Sequence, residues 1–190
     1  MKARESGMPA EELWSTFFTP EEVLTRLGLT NHCRDAADFG CGYGTFTIPA
    51  AGIVQGTVHA LDIEPEMVAV TMAKAKAAGL TNVQARQCDF IFEGTGLPEA
   101  SVDYVMLFNI LHAEEPLRLL REARRVLRAG GQLGIMHWNY DPATPRGPSL
   151  AIRPRPEQCR DWAERAGFRP AGAERIDLPP YHYGLWMVKP

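Results

Sequence analysis

Residues 36–44 read Ala-Ala-Asp-Phe-Gly-Cys-Gly-Tyr-Gly. A short apolar run, Ala36–Phe39, has the length and composition of a buried strand, and three glycines follow at alternate positions. Glycine accepts the positive φ of a tight turn and lets a ligand approach the backbone closely. Residues from about 45 to 53 then read as a helix, so the stretch is strand, turn, helix. Free N–H groups at such a helix start suit an anionic group such as a carboxylate. The spacing is Gly-x-Gly-x-Gly, whereas dinucleotide sites use Gly-x-Gly-x-x-Gly. Asp38, inside the strand end, would repel a pyrophosphate and favours a ligand with a positive charge. Taken alone, the turn is equally compatible with a plain structural bend.

The same alternation continues downstream. Thr57–Leu61 reads as a strand ending at Asp62. Pro65 to Ala78 reads as a helix, with proline in its first turn and Gly79 just past its end. Val83–Cys88 and Asp103–Ile110 read as strands. Residues 114–128 form an amphipathic helix: Pro116, Leu119, Leu120, Ala123, Val126 and Leu127 share one arc, and Arg118, Arg121, Arg124, Arg125 and Arg128 the other. Gly130 and Gly131 are expected to stop it. Gln132–Trp138 is the next strand. A loop with five prolines covers 139–156, a helix covers 157–166, and two strands lie near 172–178 and 183–188. Upstream, residues 11–28 are helical, with Pro20 opening a second helix. Strands separated by helices of this length predict an α/β fold, a mostly parallel sheet with helices on both faces. Ligands of such sheets bind at the carboxyl ends of the strands.

The chain of 190 residues suits one domain, with an N-terminal helical segment at 1–30 and the main domain at 31–190. A net charge of −3 argues against a nucleic-acid partner. The stretch from Phe39 to Leu61 lacks Lys, Arg, Asp and Glu, but its glycines and Pro49 argue against a membrane span. Lys2, Arg4 and Glu5 leave no apolar signal core. Four cysteines without Cys-x-x-Cys, and histidines without zinc spacing, predict free thiols, no metal and a cytoplasmic location. The chain holds 17 Gly and 15 Pro, and its charge is uneven. Residues 1–110 carry 7 Lys and Arg against 14 Asp and Glu, while residues 111–190 carry 13 against 9.

Three further signals fall at later strand ends. Asp62 can accept from both hydroxyls of a ribose; the alternative is an acid preceding a helix. In Cys88-Asp89-Phe90, Asp89 can accept from an adenine amino group, while Phe90 offers its N–H and ring; the alternative is a surface acid beside a core ring. The strand from Asp103 ends in Asn109 and His112. Four such signals at successive strand ends point to one site.

These residues resemble the class I S-adenosylmethionine-dependent methyltransferases over about 35–138. DFGCGYG looks like the family's glycine motif, LDIEPEM its second motif, CDF at 88–90 the adenine-contacting one, and VLRAGGQL at 126–133 the approach to strand five. The resemblance implies S-adenosylmethionine as cofactor and S-adenosylhomocysteine as product. It implies Asp38, Gly40, Cys41, Gly42, Gly44, Asp62, Ile63, Asp89, Phe90 and Asn109 as cofactor-binding residues, with Asp62 on the ribose and Ile63 against the adenine. It also implies a Rossmann-like sheet of seven strands whose last, in LWMVKP, is antiparallel. The prelude (Trp14, Phe17, Phe18, then PEEVLTRLGL) looks most like the small-molecule, ubiquinone/menaquinone-biosynthesis-type group. The Asn/Asp-Pro-Pro-Tyr of DNA amino-methylating relatives is missing: Asn109-Ile110-Leu111-His112 stands there, and Pro179-Pro180-Tyr181 follows Leu178. There is no Pro-Cys nucleophile, and Glu114-Glu115 reads as a helix N-terminal pair.

The candidates for a base or acceptor-orienting group are His112, His137 and Tyr43, then Tyr140 and His182. Arg146, Arg153 and Arg155 in the proline-rich loop suit an anionic small-molecule acceptor; the alternative is charge that keeps a mobile loop soluble. Two other functions fit the pattern less well: a non-catalytic cofactor-binding module on the same fold, and a nicotinamide oxidoreductase.

Overall fold

The computed structural model describes residues 9–190. Lys2, Arg4, Glu5 and the start of the 1–30 segment lie outside the described residues. Strands β1 (Ala36–Phe39), β2 (Val58–Asp62), β3 (Val83–Gln87), β4 (Val102–Phe108) and β5 (Leu127–Trp138) are followed by β6 (Arg169–Pro170), β7 (Ile176–Leu178) and β8 (His182–Val188). The helices are α1 (Glu11–Trp14), α2 (Pro20–Arg26), α3 (Thr47–Ile53), α4 (Pro65–Ala77), α5 (Pro116–Val126) and α6 (Pro156–Arg165), with a 3₁₀ turn at Ser15–Phe17. The sheet order is β3-β2-β1-β4-β5-β8-β6, with β7 also on β8. β1 to β5 pair in parallel, and β8 runs antiparallel to β5. Both expectations, the parallel α/β sheet and the antiparallel last strand, hold.

The strand expected near 172–178 is present only in pieces. β6 and β7 both pair antiparallel with β8, on the edge that β5 leaves open. They are two parts of the seventh lane, interrupted at 171–175. Pro170 has no N–H to extend the ladder, and a Cβ on Gly172 would stand 3.0 Å from Trp186 Cε3. The chain therefore lifts over that indole and rejoins at Ile176.

A second difference lies between α5 and β5. The helix stops at Val126, and Leu127 already pairs with Val102. Gly130 and Gly131 sit in a bulge of β5, between the Val102 and Tyr104 pairings, where they exchange backbone bonds with Lys189. The helix ends early because Arg128 is drawn to the base of the sheet. Its guanidinium meets Asp103 at 2.8 Å and Asp35 at 3.3 Å. Two more arginines of that arc are likewise structural. Arg125 pairs with Glu122 at 2.7 Å, and Arg124 donates to the Gly167 carbonyl.

Successive residues of β4 point to opposite faces. Tyr104, Met106 and Phe108 join a core with Trp14, Phe17, Leu24, Leu27 and Ala50, while Val105 and Leu107 join one with Leu119, Leu120, Ala123 and Phe168. The N-terminal segment is thus part of the main core. Tyr104 fastens it: its buried hydroxyl donates to the Leu27 carbonyl at 2.9 Å. Gly134, one strand over, makes room for that ring. A Cβ there would fall inside the van der Waals envelope of the Tyr104 hydroxyl and 3.0 Å from its Cζ. Gly134→Ala is expected to destabilise the fold by about 1–3 kcal/mol through overpacking, read as a lower urea midpoint with an unchanged slope.

Candidate active site

The strand order reverses between β1 and β4, and a crevice of about 430 Å³ opens at their carboxyl ends and that of β2. The glycine turn forms one wall. Gly40 and Gly42 have φ of 84° and 52°, a region that side chains resist. The turn is tied down at each step. Gly40 N–H and Cys41 N–H donate to the Leu61 carbonyl, Gly42 N–H donates to Asp62 Oδ2 at 2.8 Å, and the Thr71 hydroxyl donates to the Gly42 carbonyl. Asp62 Oδ1 accepts from Glu64 N–H at 3.0 Å. Burial raises the pKa of Asp62, and backbone N–H groups at Glu64 and Gly42 oppose that rise.

Asp38 is buried beneath the turn, with Oδ2 2.6 Å from the Thr47 hydroxyl that donates to it. Burial pushes its pKa up to about 7, the Thr47 bond opposing and the Asp62 charge adding. α3 begins at Thr47, two residues later than expected, and its first side chain is turned to Asp38. An anion is therefore not what this turn is built to meet. Two carboxylates, one fully buried, suit a cationic ligand that carries hydroxyls.

Asn109 follows β4 with φ of 54°. Such strain in a non-glycine residue is found at sites where the surroundings enforce it. Its N–H donates to the Met136 carbonyl at 2.7 Å, while its buried Oδ1 and Nδ2 have no partner among the described residues. An amide so placed presents one acceptor and two donors to the crevice it lines. Phe90 lines the far wall, its ring 5.4 Å from that of Phe39, and Asp89 stands beside it. The other end of the crevice is aromatic. Trp14, Phe46, Phe108 and Trp138 close it, with Trp14 6.0 Å from Trp138 and Phe46 4.8 Å from Phe108. The Trp14 indole N–H is anchored on the Thr45 hydroxyl at 3.0 Å.

Of the residues expected at the site, Asp38, Gly40, Cys41, Gly42, Tyr43, Asp62, Ile63, Asp89, Phe90, Asn109 and His112 line the crevice. Gly44 and His137 do not. Gly44 packs on α4, where a Cβ would stand 3.0 Å from Thr71 Oγ1. His137 is fully buried behind His112, its Nε2 3.4 Å from His112 Nδ1. His182 is wedged between Trp138 and Phe18, ring centroids 4.1 and 4.7 Å away, and burial pushes its pKa down to about 3. Tyr140 lies elsewhere, on a second cavity of about 390 Å³, with the Arg155 guanidinium 3.7 Å above its ring.

Of the three loop arginines expected to meet an acceptor, Arg153 is engaged within the loop itself. Its guanidinium is buried and donates to the carbonyls of Asn139, Asp141, Arg146 and Pro148 at 2.7–3.4 Å. It ties the proline-rich loop into a knot and has no donor left for a substrate. Sequence reasoning missed Phe46, Phe108 and Trp138 as site residues. Their one signal was position, each lying near the end of a strand or turn that also carries a polar site residue.

A family model described as a methyltransferase domain matches residues 36–131. The chain belongs to the S-adenosylmethionine-dependent methyltransferases. The aklanonic acid methyltransferase DauC of Streptomyces sp. (strain C5) is 30% identical over 184 residues, which cover 85% of this chain and 83% of that one. The demethylmenaquinone methyltransferase of Geobacillus stearothermophilus is 32% identical over 119 residues, 58% of this chain and 47% of that enzyme. The crystal structure of an S-adenosylmethionine-dependent methyltransferase from Aquifex aeolicus superposes with a TM-score of 0.81 at 26% identity, covering 92% and 91% of the two chains. The cofactor of this methyltransferase is S-adenosylmethionine, and the crevice fits it: buried acids for a cation with sugar hydroxyls, and an unpartnered amide between the two ends. Among the described residues of this methyltransferase, no helix is long and apolar enough to cross a membrane, and no cluster of His, Cys, Asp or Glu could hold a metal.

Because Asp38 holds its proton more tightly folded than unfolded, its own contribution to the stability of the unliganded protein falls as pH rises from about 4 through 7. Asp38→Asn keeps an acceptor for Thr47 and removes the titration. Its unfolding free energy is expected to match the parent near pH 4 and to exceed it at pH 8, measured by urea melts across that range.

Proposed function

We propose that this methyltransferase carries a methyl group from S-adenosylmethionine to a small organic acceptor held at the aromatic end of the crevice. The observation that carries this reading is one cavity lined both by buried acids and a glycine turn and by four aromatic rings, with Asn109 and His112 on its wall. The sulfonium of the bound cofactor supplies an electrophilic methyl group. The protein's part is to hold its partners in line and keep water out, and positioning of that kind supplies roughly 7–11 kcal/mol.

In this reading Asp62 accepts the ribose hydroxyls with the lone pairs that Gly42 and Glu64 leave. Ile63 packs on the adenine, Asp89 accepts its amino group, and Phe90 bounds the ring pocket. Asp38 faces the cationic part, Gly40, Cys41 and Gly42 bring backbone close to it, and Asn109 bonds its polar groups. Gly44 supports the turn. Tyr43, under the Lys74 ammonium at 5.9 Å, borders the entrance. The 1–30 segment completes the 31–190 domain by supplying Trp14. Relatives named for aklanonic acid and demethylmenaquinone support a small-molecule acceptor. Arg153 and Arg155 both line the second cavity, and Arg155, whose guanidinium is not spent on loop carbonyls, supports an anionic one. The four cysteines are free thiols, in keeping with the cytoplasm.

Asp62→Ala is expected to weaken S-adenosylhomocysteine binding by roughly 1–3 kcal/mol, measured by calorimetry. Unchanged affinity removes Asp62 from the cofactor site. The transfer itself is tested with methyl-labelled S-adenosylmethionine and a panel of aromatic acids, phenols and quinols. A labelled product is expected together with S-adenosylhomocysteine. Cofactor binding without transfer to any member points to a binding module instead.

A further inference from the structure

The loop after β3 runs over residues 88–97, and Asp89 and Phe90 stand at its start. One face of α5 grips this loop at three points, with residues spaced i, i+4 and i+7. The Arg118 guanidinium donates to the Phe92 carbonyl at 2.6 Å and lies 5.5 Å from the centre of the Phe92 ring. Glu122 Oε1 accepts from the Thr95 N–H at 2.7 Å and from the Thr95 hydroxyl at 2.6 Å. Arg125 donates to the Leu97 carbonyl at 2.8 Å. Glu122 is the centre of the three. Arg125 also brackets its carboxylate, with Nε on Oε2 at 2.8 Å and Nη2 on Oε1 at 2.7 Å. Burial works against the Glu122 charge, but the bonds from Arg125 and Thr95 outweigh it and hold the pKa at about 2. Thr95 is fully buried. Gly94 and Gly96 on either side of it have φ of 75° and 64°, which lets the chain turn tightly around the carboxylate.

The grip reaches the site residues through Phe92. Its carbonyl is held by Arg118, and its N–H donates to the Asp89 carbonyl at 3.2 Å and to Asp89 Oδ1 at 3.3 Å. From the β3 side, Arg86 donates to the Thr95 carbonyl and the Cys88 thiol to the Gly94 carbonyl at 3.1 Å. The loop is thus fixed between β3 and α5. We propose, resting on the adenine placement given above, that Glu122 is a positioning residue of the cofactor site: flanked by Arg118 and Arg125, it fixes the loop that carries Asp89 and Phe90 and so sets the preference of the site for adenine over a 6-oxopurine.

Adenine presents a donor, its 6-amino group, beside an acceptor, N1. A 6-oxopurine presents the reverse, an acceptor at O6 beside a donor at N1. An ionised Asp89 only accepts, and the Phe90 N–H only donates. The pair therefore matches adenine and opposes the 6-oxopurine as long as both are held still. A carboxylate free to pivot would take the N1–H of the oxopurine instead, and the preference would fall. Discrimination of this kind depends on the rigidity of the loop, which is what the three contacts from α5 provide. The Phe92 N–H on Oδ1 does not exhaust Asp89, since a carboxylate has lone pairs for several donors.

Calorimetry of the full chain with S-adenosylhomocysteine and with S-inosylhomocysteine, its 6-oxo counterpart, reads the preference as a ratio of affinities. The parent is expected to favour the adenine ligand by about tenfold or more. Glu122→Gln keeps the size of the side chain and loses the charge that gathers Thr95 and Arg125, and its ratio is expected to fall to about threefold or less. Thr95→Val is expected to follow it, while Thr95→Ser, which keeps the hydroxyl, retains the parent ratio. Arg118→Ala changes a half-exposed side chain and is expected to lower the ratio by about twofold. If a folded Glu122→Gln weakens both ligands equally, or neither, Glu122 serves the fold alone and the proposal is overturned. If that variant does not fold, unchanged ratios in Arg118→Ala and Thr95→Val overturn it. Asp89→Asn tests the adenine placement separately. Its amide can donate to O6, so its ratio is expected to drop toward one. A parent-like ratio in Asp89→Asn takes the adenine away from Asp89 and overturns that placement and the proposal with it, whatever Glu122→Gln shows.

Discussion

The Gly42 N–H donates to the Asp62 carboxylate, and the site is arranged around that bond. It joins the turn after β1 to the end of β2, two parallel strands that otherwise diverge beyond the sheet. The same carboxylate takes the Glu64 N–H, so one side chain sets both the path of the glycine turn and the entry to α4. The cost is a negative charge in a half-closed space, and Asp38 lies in the same space with its proton held more tightly, by its burial first and by the Asp62 charge in addition. Two acids at the end of a crevice are unfavourable for an empty protein and favourable for one that receives a cation. The chemistry of the cofactor is written into that imbalance.

Much of this was legible in the sequence because it depends on local spacing. Three alternate glycines after a strand, an acid at the end of the next, and the apolar arc of 114–128 each follow from turn geometry or helical period. What was not legible depends on contacts across the sheet. The end of α5 looked like a glycine stop, yet the helix ends two residues sooner, where Arg128 reaches Asp103 and Asp35. The strand near 172–178 is interrupted because Trp186 lies under Gly172. His137 read as a crevice residue from its place on β5, but alternation along the strand turns it inward behind His112. Gly44 shares the spacing of its neighbours and serves packing instead.

The uneven charge takes on a different meaning once side chains are placed. The acidic half does hold the two carboxylates of the cofactor end. The basic half is not a matching positive surface. Arg124 and Arg125 tie α5 to Gly167 and to the loop at Leu97, Arg128 pairs with Asp35 and Asp103, and the buried Arg153 spends its guanidinium on loop carbonyls, which leaves Arg155 beside Tyr140 as the loop arginine with donors facing the second cavity. Charge counts over half a chain therefore blur two uses of arginine, the clamp and the receptor, that only hydrogen-bond partners separate.

The knot at Arg153 has a consequence for how such an enzyme changes over generations. Its guanidinium grips carbonyl oxygens, which every residue possesses. Of the four residues gripped, Asp141 adds its carboxylate charge and an acceptor for the Ala143 N–H, whereas Arg146 and Pro148 are held through their backbone. The loop can therefore exchange side chains at positions held by backbone alone while keeping its path, provided the arginine stays. A wall that holds its shape independently of its lining is a ready substrate for drift and selection, so new acceptors can be tried without rebuilding the fold.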